Sequence, residues 1–313
     1  MMTTTPALEG VIHELVDRLG DAVQRDAPLG PLTTYRVGGP AAALIIVDDD
    51  QSLLTLAAVL AMSEVPILVI GRGSNLLVAD SGFAGVVVQL GGQFARIDID
   101  GATVWAGAAT KLPVLARQTV SAGLTGLEWA VGVPGSVGGA VRMNAGGHGA
   151  EVVDSLASVQ LVDFRSGELV DRDAASLELS YRSSALDSSE VLVRARFELT
   201  EGDIEQGEQL LAEIVQWRRS NQPGGQNAGS VFTNPPGDSA GRLIDTAGGK
   251  GLRIGSAEVS TKHANFIQSD EGGSAHDVLA VMNEVKRLVL RSHGVTLHTE
   301  THLIGFEDDG AFS

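Results

Sequence analysis

The chain has 313 residues, 43% of them hydrophobic, enough to bury a sizeable core in two or three domains. Lys and Arg number 22 against 39 Asp and Glu, and the net charge of −17 argues against nucleic acid or an anionic membrane surface as a partner. No cysteine is present, which excludes disulfides, thiolate catalysis and Cys-ligated metal; with no apolar run of membrane-spanning length and no signal-peptide pattern, a cytoplasmic protein is expected.

Along the chain, Leu8–Leu19 has helical apolar spacing and breaks at Gly20. Pro28–Pro31 reads as a loop and Ala41–Val47 as a short buried strand. Gln51–Met62 reads as a helix with caps on offer from Asp48, Asp49 and Asp50. Ile67–Ile70 is a β run ending at Gly71-Arg72-Gly73-Ser74-Asn75, after which Leu76–Ala79 resumes β character. Val86–Leu90, Ala95–Ile99 and Thr103–Ala106 are short strands punctuated by glycine, and Leu112–Ser121 is a helix. Strands follow at Ser158–Phe164, Glu168–Asp171 and Val191–Leu199. Ile204–Arg219 is a helix whose stripe of Leu210, Leu211, Ile214, Val215 and Trp217 predicts a buried face. A short helix near Ala240–Ala247, a strand at Ala264–Gln268, a helix at Ala275–Ser292 and a last strand at Thr296–Ile304 complete the pattern. This is an α+β chain with short strands, without the regular alternation of a doubly wound sheet. Of two plausible domain boundaries, Thr200–Asp203 and Asn221–Gly229, the first keeps the long helix with the C-terminal part of the chain and is preferred.

The most informative stretch runs from Gly132 to Gly149, with seven glycines in eighteen residues and a single charge, Arg142. Such a segment fills little core and offers its backbone N–H groups to something outside the chain, as phosphate-binding loops do. It carries Val and Met where a linker would carry Ser and charge. Gly71–Leu76 offers a second, smaller cradle. It is not a dinucleotide fingerprint, because Leu76 stands where the third glycine belongs and strand-like residues follow where a helix should start. Two cradles in one chain favour a ligand with a pyrophosphate. The cations available to an anionic ligand are few, notably Arg142, Arg182, Arg218 and Arg219.

On a strand, His298, Glu300 and His302 would share a face and could hold a metal, although such alternation is more often the polar side of an edge strand. A single carboxylate raised in pKa by burial is the third reading of Glu300. Arg182 beside Ser183 and Ser184 would suit a carboxylate or phosphate grip, although by itself it reads as a surface arginine. Ser230 lacks the elbow of a hydrolase nucleophile. The polar cluster Ser260–Phe266 reads by itself as a solvated turn.

In order, Thr34–Gly39, Gly71–Val78, Val131–Gly149, Tyr181-Arg182, Gly229–Pro235, Ala240–Gly251, Ser260–Ile267 and Leu297-x-x-Glu300-x-x-x-x-Gly305 resemble the UDP-N-acetylenolpyruvoylglucosamine reductase family, in its compact form. The resemblance covers roughly residues 30–306. It implies an α+β FAD-binding domain of the vanillyl-alcohol-oxidase (PCMH) type over 1–200, with subdomains of about 30–92 and 93–200, and an α+β substrate domain over 201–313. It also implies NADPH-dependent reduction of UDP-N-acetylglucosamine enolpyruvate through FAD, in peptidoglycan synthesis, by a monomer that holds no metal. Arg182 matches the residue that grips the substrate carboxylate, Glu300 the acid that stabilises the enol, and Ser230 the group that protonates the α-carbon. FAD contacts are implied for Arg36, Gly71, Gly73, Ser74, Asn75, Leu76, Gly132, Pro134, Gly135, Ser136, Gly138, Gly139, Asn144, Ala145 and Gly146. Substrate contacts are implied for Tyr181, Arg218, Asn234, Lys262 and His263. Three positions depart from the family's usual residues: Thr233 for lysine, His302 for arginine and Gly249 for leucine. The first two remove positive charge near the expected substrate site. They motivate an alternative, a non-catalytic or altered-specificity flavin- or UDP-sugar-binding paralogue.

Overall fold

The computed structural model describes residues 4–61 and 63–306. Helix α1 (Pro6–Leu19) is capped by the Thr5 side chain and buries Leu8, Ile12 and Leu15, the i, i+4, i+7 face that its sequence predicts. It packs beside α2 (Asp50–Leu60), where Asp49 accepts the Ser52 N–H and is the cap used. The expected end of α2 at Met62 lies outside the described residues. Both helices cover a sheet in which the strand Pro40–Val47 pairs antiparallel with Val23–Pro28 and parallel with Phe83–Leu90, which in turn pairs parallel with Ile67–Val69. The strand Val23–Pro28 has no apolar alternation to announce it. It is an edge strand whose Gln24, Arg25 and Asp26 face water, and the expected loop at Pro28–Pro31 begins only after it.

A second, antiparallel sheet runs in the order Glu168–Asp173, Leu156–Asp163, Glu190–Glu198, Thr103–Gly107, Ile97–Asp100. A 3₁₀ turn occupies Gly92–Ala95, so the strand expected from Ala95 starts two residues later. Three helices lie with this sheet in one apolar core: α3 (Leu112–Ser121), α4 (Val137–Arg142) and α5 (Ile204–Asn221). Of the stripe expected on α5, Leu211 and Ile214 are buried while Leu210 and Trp217 are 42% and 48% exposed. The buried face of α5 meets α3 and the turn at Glu128–Gly132. By packing, therefore, this helix belongs with the residues before it, contrary to the boundary preferred from sequence.

The C-terminal part gathers α6 (Ala240–Thr246), α7 (Ala275–His293) and a three-stranded sheet of Arg253–Ile254, Ala257–Val259 and Ile267–Ser269 around a further core, to which Tyr35, Val37 and Leu77 of the first part also contribute. The strand expected over Ala264–Gln268 thus starts later, because Ala264–Phe266 turn back on His263 through the Phe266 N–H. Two of the ties between this part and the first position the site. Asp80 receives the Ala275 and His276 N–H groups and the Ser274 hydroxyl at the start of α7, where a carboxylate complements the helix dipole. The strand His302–Ile304 pairs parallel with Leu76–Val78. That second tie sets the C-terminal segment against the exit of the first glycine loop.

Candidate active site

The two glycine-rich segments face each other across a cleft of ≈ 340 Å³, lined on its third side by Ala228–Ser230, Phe232, Asn234, Asn265, Phe266, Glu300 and His302. In the loop Gly71–Asn75 three of the five carbonyls are taken by other parts of the chain. Gly71 accepts from the Gln89 side chain, Gly73 from the Thr34 N–H and Asn75 from the His302 N–H. Its five N–H groups have no acceptor among the described residues. Such a nest of unpaired N–H groups attracts an anion. Glycine is required at position 73, where φ is +57° and a Cβ would lie 2.2 Å from the Leu32 carbonyl oxygen. At Gly71 a Cβ would meet Ser136 Oγ at 2.4 Å, so the two loops touch there and leave room for backbone only.

The larger segment is less open than its composition suggests. Val137, Ala140 and Val141 bury one face of α4, and the Val137 and Gly138 N–H groups are taken by the Thr110 and Ala108 carbonyls. Gly138 packs on Ala108 instead of lining the main cleft. Asn144, 1% exposed, ties Glu151, Ser180 and Val153 together through its side chain and stands behind the wall. Gly132, Pro134, Gly135, Ser136, Gly139, Ala145 and Gly146 do line the cleft. These loops fit a dinucleotide such as FAD: glycine backbone lines the cavity and carries N–H donors with no acceptor among the described residues.

Charge supports the same reading. Arg72, Arg142, Arg182 and Arg218 line the cleft against a single carboxylate among the described residues, Glu300, so positive charge is concentrated here in a chain of net charge −17. Arg142 is largely spent on the Leu186, Asp187 and Glu190 carbonyls. Arg218 donates to the Gly132 carbonyl and, through Nε, to Gln222 Oε1 at 2.7 Å.

Arg182 and Glu300 meet directly, Nε to Oε1, at 2.9 Å. Arg182 has a left-handed backbone, φ +56°, costly for a residue with a Cβ and found where the surroundings dictate it. Its guanidinium also reaches the Asn144 and Gly146 carbonyls and lies 5.0 Å from the centre of the Tyr181 ring. Burial pushes the Glu300 carboxyl above its usual range, and the Arg182 charge only partly opposes it. Glu300 is not on the expected strand. Only His302–Ile304 is regular, because Thr299 pairs in an isolated bridge with Phe232 and the chain then turns to follow Leu76. The alternation that would have placed His298, Glu300 and His302 on one face is therefore broken, and no metal-holding group of His, Cys, Asp or Glu occurs among the described residues.

Ser230 lies on the opposite strand of this irregular ladder, in which Glu300 N donates to Val231 O at 2.8 Å and Thr233 N to His298 O at 3.0 Å. Asn234 lines the cleft while its Oδ1 holds the Ala240 N–H at the start of α6. Lys262 lies outside the main cleft, in a second one with Arg219, Gln222, Pro223 and Gly224 that adjoins it at Arg218. His263 and Arg36 also lie outside. The His263 ring packs on Phe266 and burial lowers its pKa, while Arg36 is exposed and donates to the Pro31 carbonyl. Asn265, Met143 and Gln222 line the cleft without having been singled out. The signal for Asn265 was its place in the polar cluster Ser260–Phe266, where sequence alone could not separate a solvated turn from a buried anchor. At two of the unusual positions, Thr233 makes a 3.4 Å bond to the His298 carbonyl and His302 Nε2 lies 3.1 Å from Met143 sulfur.

A family model described as FAD binding domain matches residues 41–173, and one described as UDP-N-acetylenolpyruvoylglucosamine reductase, C-terminal domain, matches residues 220–304. Similar proteins include the UDP-N-acetylenolpyruvoylglucosamine reductase of Paramagnetospirillum magneticum, 41% identical over 96% of this chain and 97% of that one. That of Heliobacterium modesticaldum is 42% identical over 92% of each. The crystal structure of UDP-N-acetylenolpyruvylglucosamine reductase (MurB) from Thermus caldophilus superposes with a TM-score of 0.79 at 39% identity, over 90% of this chain and 98% of that one. The fold is thus an α+β one with an FAD-binding domain, and the chain belongs to the UDP-N-acetylenolpyruvoylglucosamine reductase family.

Proposed function

We propose that this chain uses NADPH and FAD to reduce UDP-N-acetylglucosamine enolpyruvate to UDP-N-acetylmuramate, for peptidoglycan synthesis. The observation that carries the reading is the Arg182–Glu300 pair in a cleft shared with Ser230 and two backbone cradles. Bound FAD supplies two-electron transfer from NADPH to the enolpyruvyl carbon–carbon double bond. The unpaired N–H groups of Gly71–Asn75, with Gly135, Ser136, Gly139 and Gly146, would hold its pyrophosphate.

The rest of the work falls to side chains. Arg182 receives the substrate carboxylate as a planar, permanently charged donor. Negative charge grows on that carboxylate side only as hydride arrives, so a pre-aimed guanidinium and a protonated Glu300 stabilise the transition state more than the ground state. Burial of Glu300 favours the protonated form needed for that hydrogen bond. Ser230 then gives its proton to the α-carbon, which a serine can do only to a partner as basic as an enolate. Tyr181, Arg218 and Asn234 border the space left for the nucleotide sugar.

The substrate domain in this reading begins in Asn221–Gly229, with α5 part of the FAD-binding unit whose core it shares. The protein is proposed to act in the cytoplasm as a monomer, without nucleic acid. No helix among the described residues is long and apolar enough to cross a membrane.

An anaerobic visible spectrum tests the whole. NADPH should bleach the flavin band and UDP-N-acetylglucosamine enolpyruvate should restore it. Bleaching without recovery would leave a flavin-binding paralogue, and protein that takes up no FAD would reject the reading.

A further inference from the structure

We propose that Asn265 is the positioning residue for Ser230, clamping the main chain that carries it so that the hydroxyl keeps its place opposite Glu300. The inference rests on the functional reading above.

Asn265 is polar, 4% exposed and at the wall of the cleft. Its side-chain amide grips the backbone of one residue from both sides: Oδ1 accepts the Phe232 N–H at 3.0 Å and Nδ2 donates to the Phe232 carbonyl at 2.8 Å. Its own carbonyl accepts the Val231 N–H at 2.9 Å. The segment after Ser230 is therefore held by three bonds from a single residue. On its other edge the same segment is held by Glu300, whose N–H donates to the Val231 carbonyl. One short ladder thus connects Asn265, the backbone that carries Ser230 and the backbone that carries Glu300.

Such a ladder is needed because Ser230 sits in a Gly- and Pro-bounded stretch with no regular element of its own. Gly229 just before it has φ +76° and nothing within 4 Å of where a Cβ would be, and the only bond holding it among the described residues is the local one from its N–H to Asn227 Oδ1, so long-range restraint on Ser230 comes from the residues after it. Proton transfer depends steeply on placement, and a misplacement of about 1 Å costs on the order of 10²-fold in rate. Asn265 is anchored in turn, its N–H donating to His263 Nδ1 at 3.2 Å. Burial, with the Lys250 charge adding to it, lowers the His263 pKa and so favours the neutral ring, in which a nitrogen can accept; the Asn265 N–H bond selects the tautomer that leaves Nδ1 unprotonated. His263 therefore acts at one remove from the cleft, through Asn265.

Two variants test this in FAD-loaded protein. Asn265→Leu keeps the volume and removes both side-chain bonds; Asn265→Asp keeps the acceptor for the Phe232 N–H and loses the donor. Flavin reduction by NADPH should stay within about twofold of wild type, while reoxidation by the enolpyruvyl substrate should slow by ~10²-fold in Asn265→Leu and less in Asn265→Asp. Amide hydrogen exchange, read without turnover, should quicken at Phe232 and Glu300 and stay unchanged in the buried turns of α7. Unchanged exchange at Phe232 and Glu300 would overturn the clamp. Equal slowing of both half-reactions would also overturn it, because a general packing role predicts that. If wild-type protein is not reoxidised by this substrate at all, the functional reading fails and exchange alone decides the clamp. Should Asn265→Leu fail to fold, Asn265→Asp carries both readouts.

Discussion

The two walls of the cleft solve different problems with different chemistry. On the cradle wall the proposed function falls to backbone: N–H groups left unpaired among the described residues, and glycines where a side chain would keep a ligand at a distance. On the C-terminal wall it falls to a few side chains, Ser230 and Glu300 on backbone held by a non-local ladder, and Arg182 across from them in the local Ser180–Ser183 turn. A backbone site is robust to the identity of most residues and fragile at the few glycines where a Cβ has nowhere to go. A side-chain site shows the opposite pattern, so substitution on each wall should leave a distinct signature.

The largest effect is expected on the C-terminal wall. Ser230→Ala should retain flavin and accept hydride from NADPH at near the wild-type rate, while reoxidation by the enolpyruvyl substrate falls ~10²–10⁴-fold. Single-turnover absorbance separates the two steps. Wild-type reoxidation in that variant would remove Ser230 from the chemistry and leave the comparison without its sharper half.

On the cradle wall the corresponding break is Gly73→Ala. The residue has φ +57° and its Cβ would press on the Leu32 carbonyl, so strain of about 1–3 kcal/mol is expected before the clash is counted. Urea unfolding should show that loss and FAD affinity should fall, without any change in the ratio of the two half-reaction rates at saturating cofactor. A selective loss of reoxidation would contradict the division of labour between the walls.

A smaller and more specific effect concerns pH. Burial raises the Glu300 pKa despite Arg182, so the protonated form persists to higher pH than in an ordinary carboxyl. If that form donates to the developing enolate, reoxidation slows as pH rises through the raised pKa and is fastest below it. Glu300→Gln keeps a neutral donor that does not titrate, so the alkaline limb should vanish while a reduced rate remains. Persistence of the limb in Glu300→Gln would assign it to another group.

These contrasts mirror what the sequence could and could not reveal. Helices with local start signals and periodicity were legible, as in α3, found at the expected Leu112–Ser121 with Pro113 in its first turn, and α7, whose Ser274 cap and apolar spacing are local. Helix α4 was hidden because two glycines lower helix propensity by about 1 kcal/mol each, although Val137, Ala140 and Val141 already had the i, i+3, i+4 spacing that buries it. The site was legible as motifs but not as geometry. Nothing local says that Thr299 bridges Phe232 or that His302 pairs with Leu76, and those distant partners shorten the expected Thr296–Ile304 strand. The same limit applies to Arg36, Asn144, Lys262 and His263: each lies within a recognisable motif, yet tertiary packing puts its side chain behind or beside the cleft.

The smallest effect is the most exacting test of the comparison. Gly147 shares the glycine-rich stretch with Gly146, and composition alone would give the two equal weight. At Gly146 a Cβ would lie 2.5 Å from Glu151 Cβ, whereas at Gly147 nothing lies within 4 Å and φ is not in the left-handed region. Gly147→Ala should therefore change stability by no more than about 0.5 kcal/mol in either direction and leave FAD affinity where it was. Gly146→Ala must push the Ala150–Glu151 strand away and should lower both. A backbone cradle makes this prediction, since it needs glycine only where space or φ demands it. If the two variants behaved alike, flexibility of the whole segment would be the functional property, and the close approach of loop to ligand would lose its support.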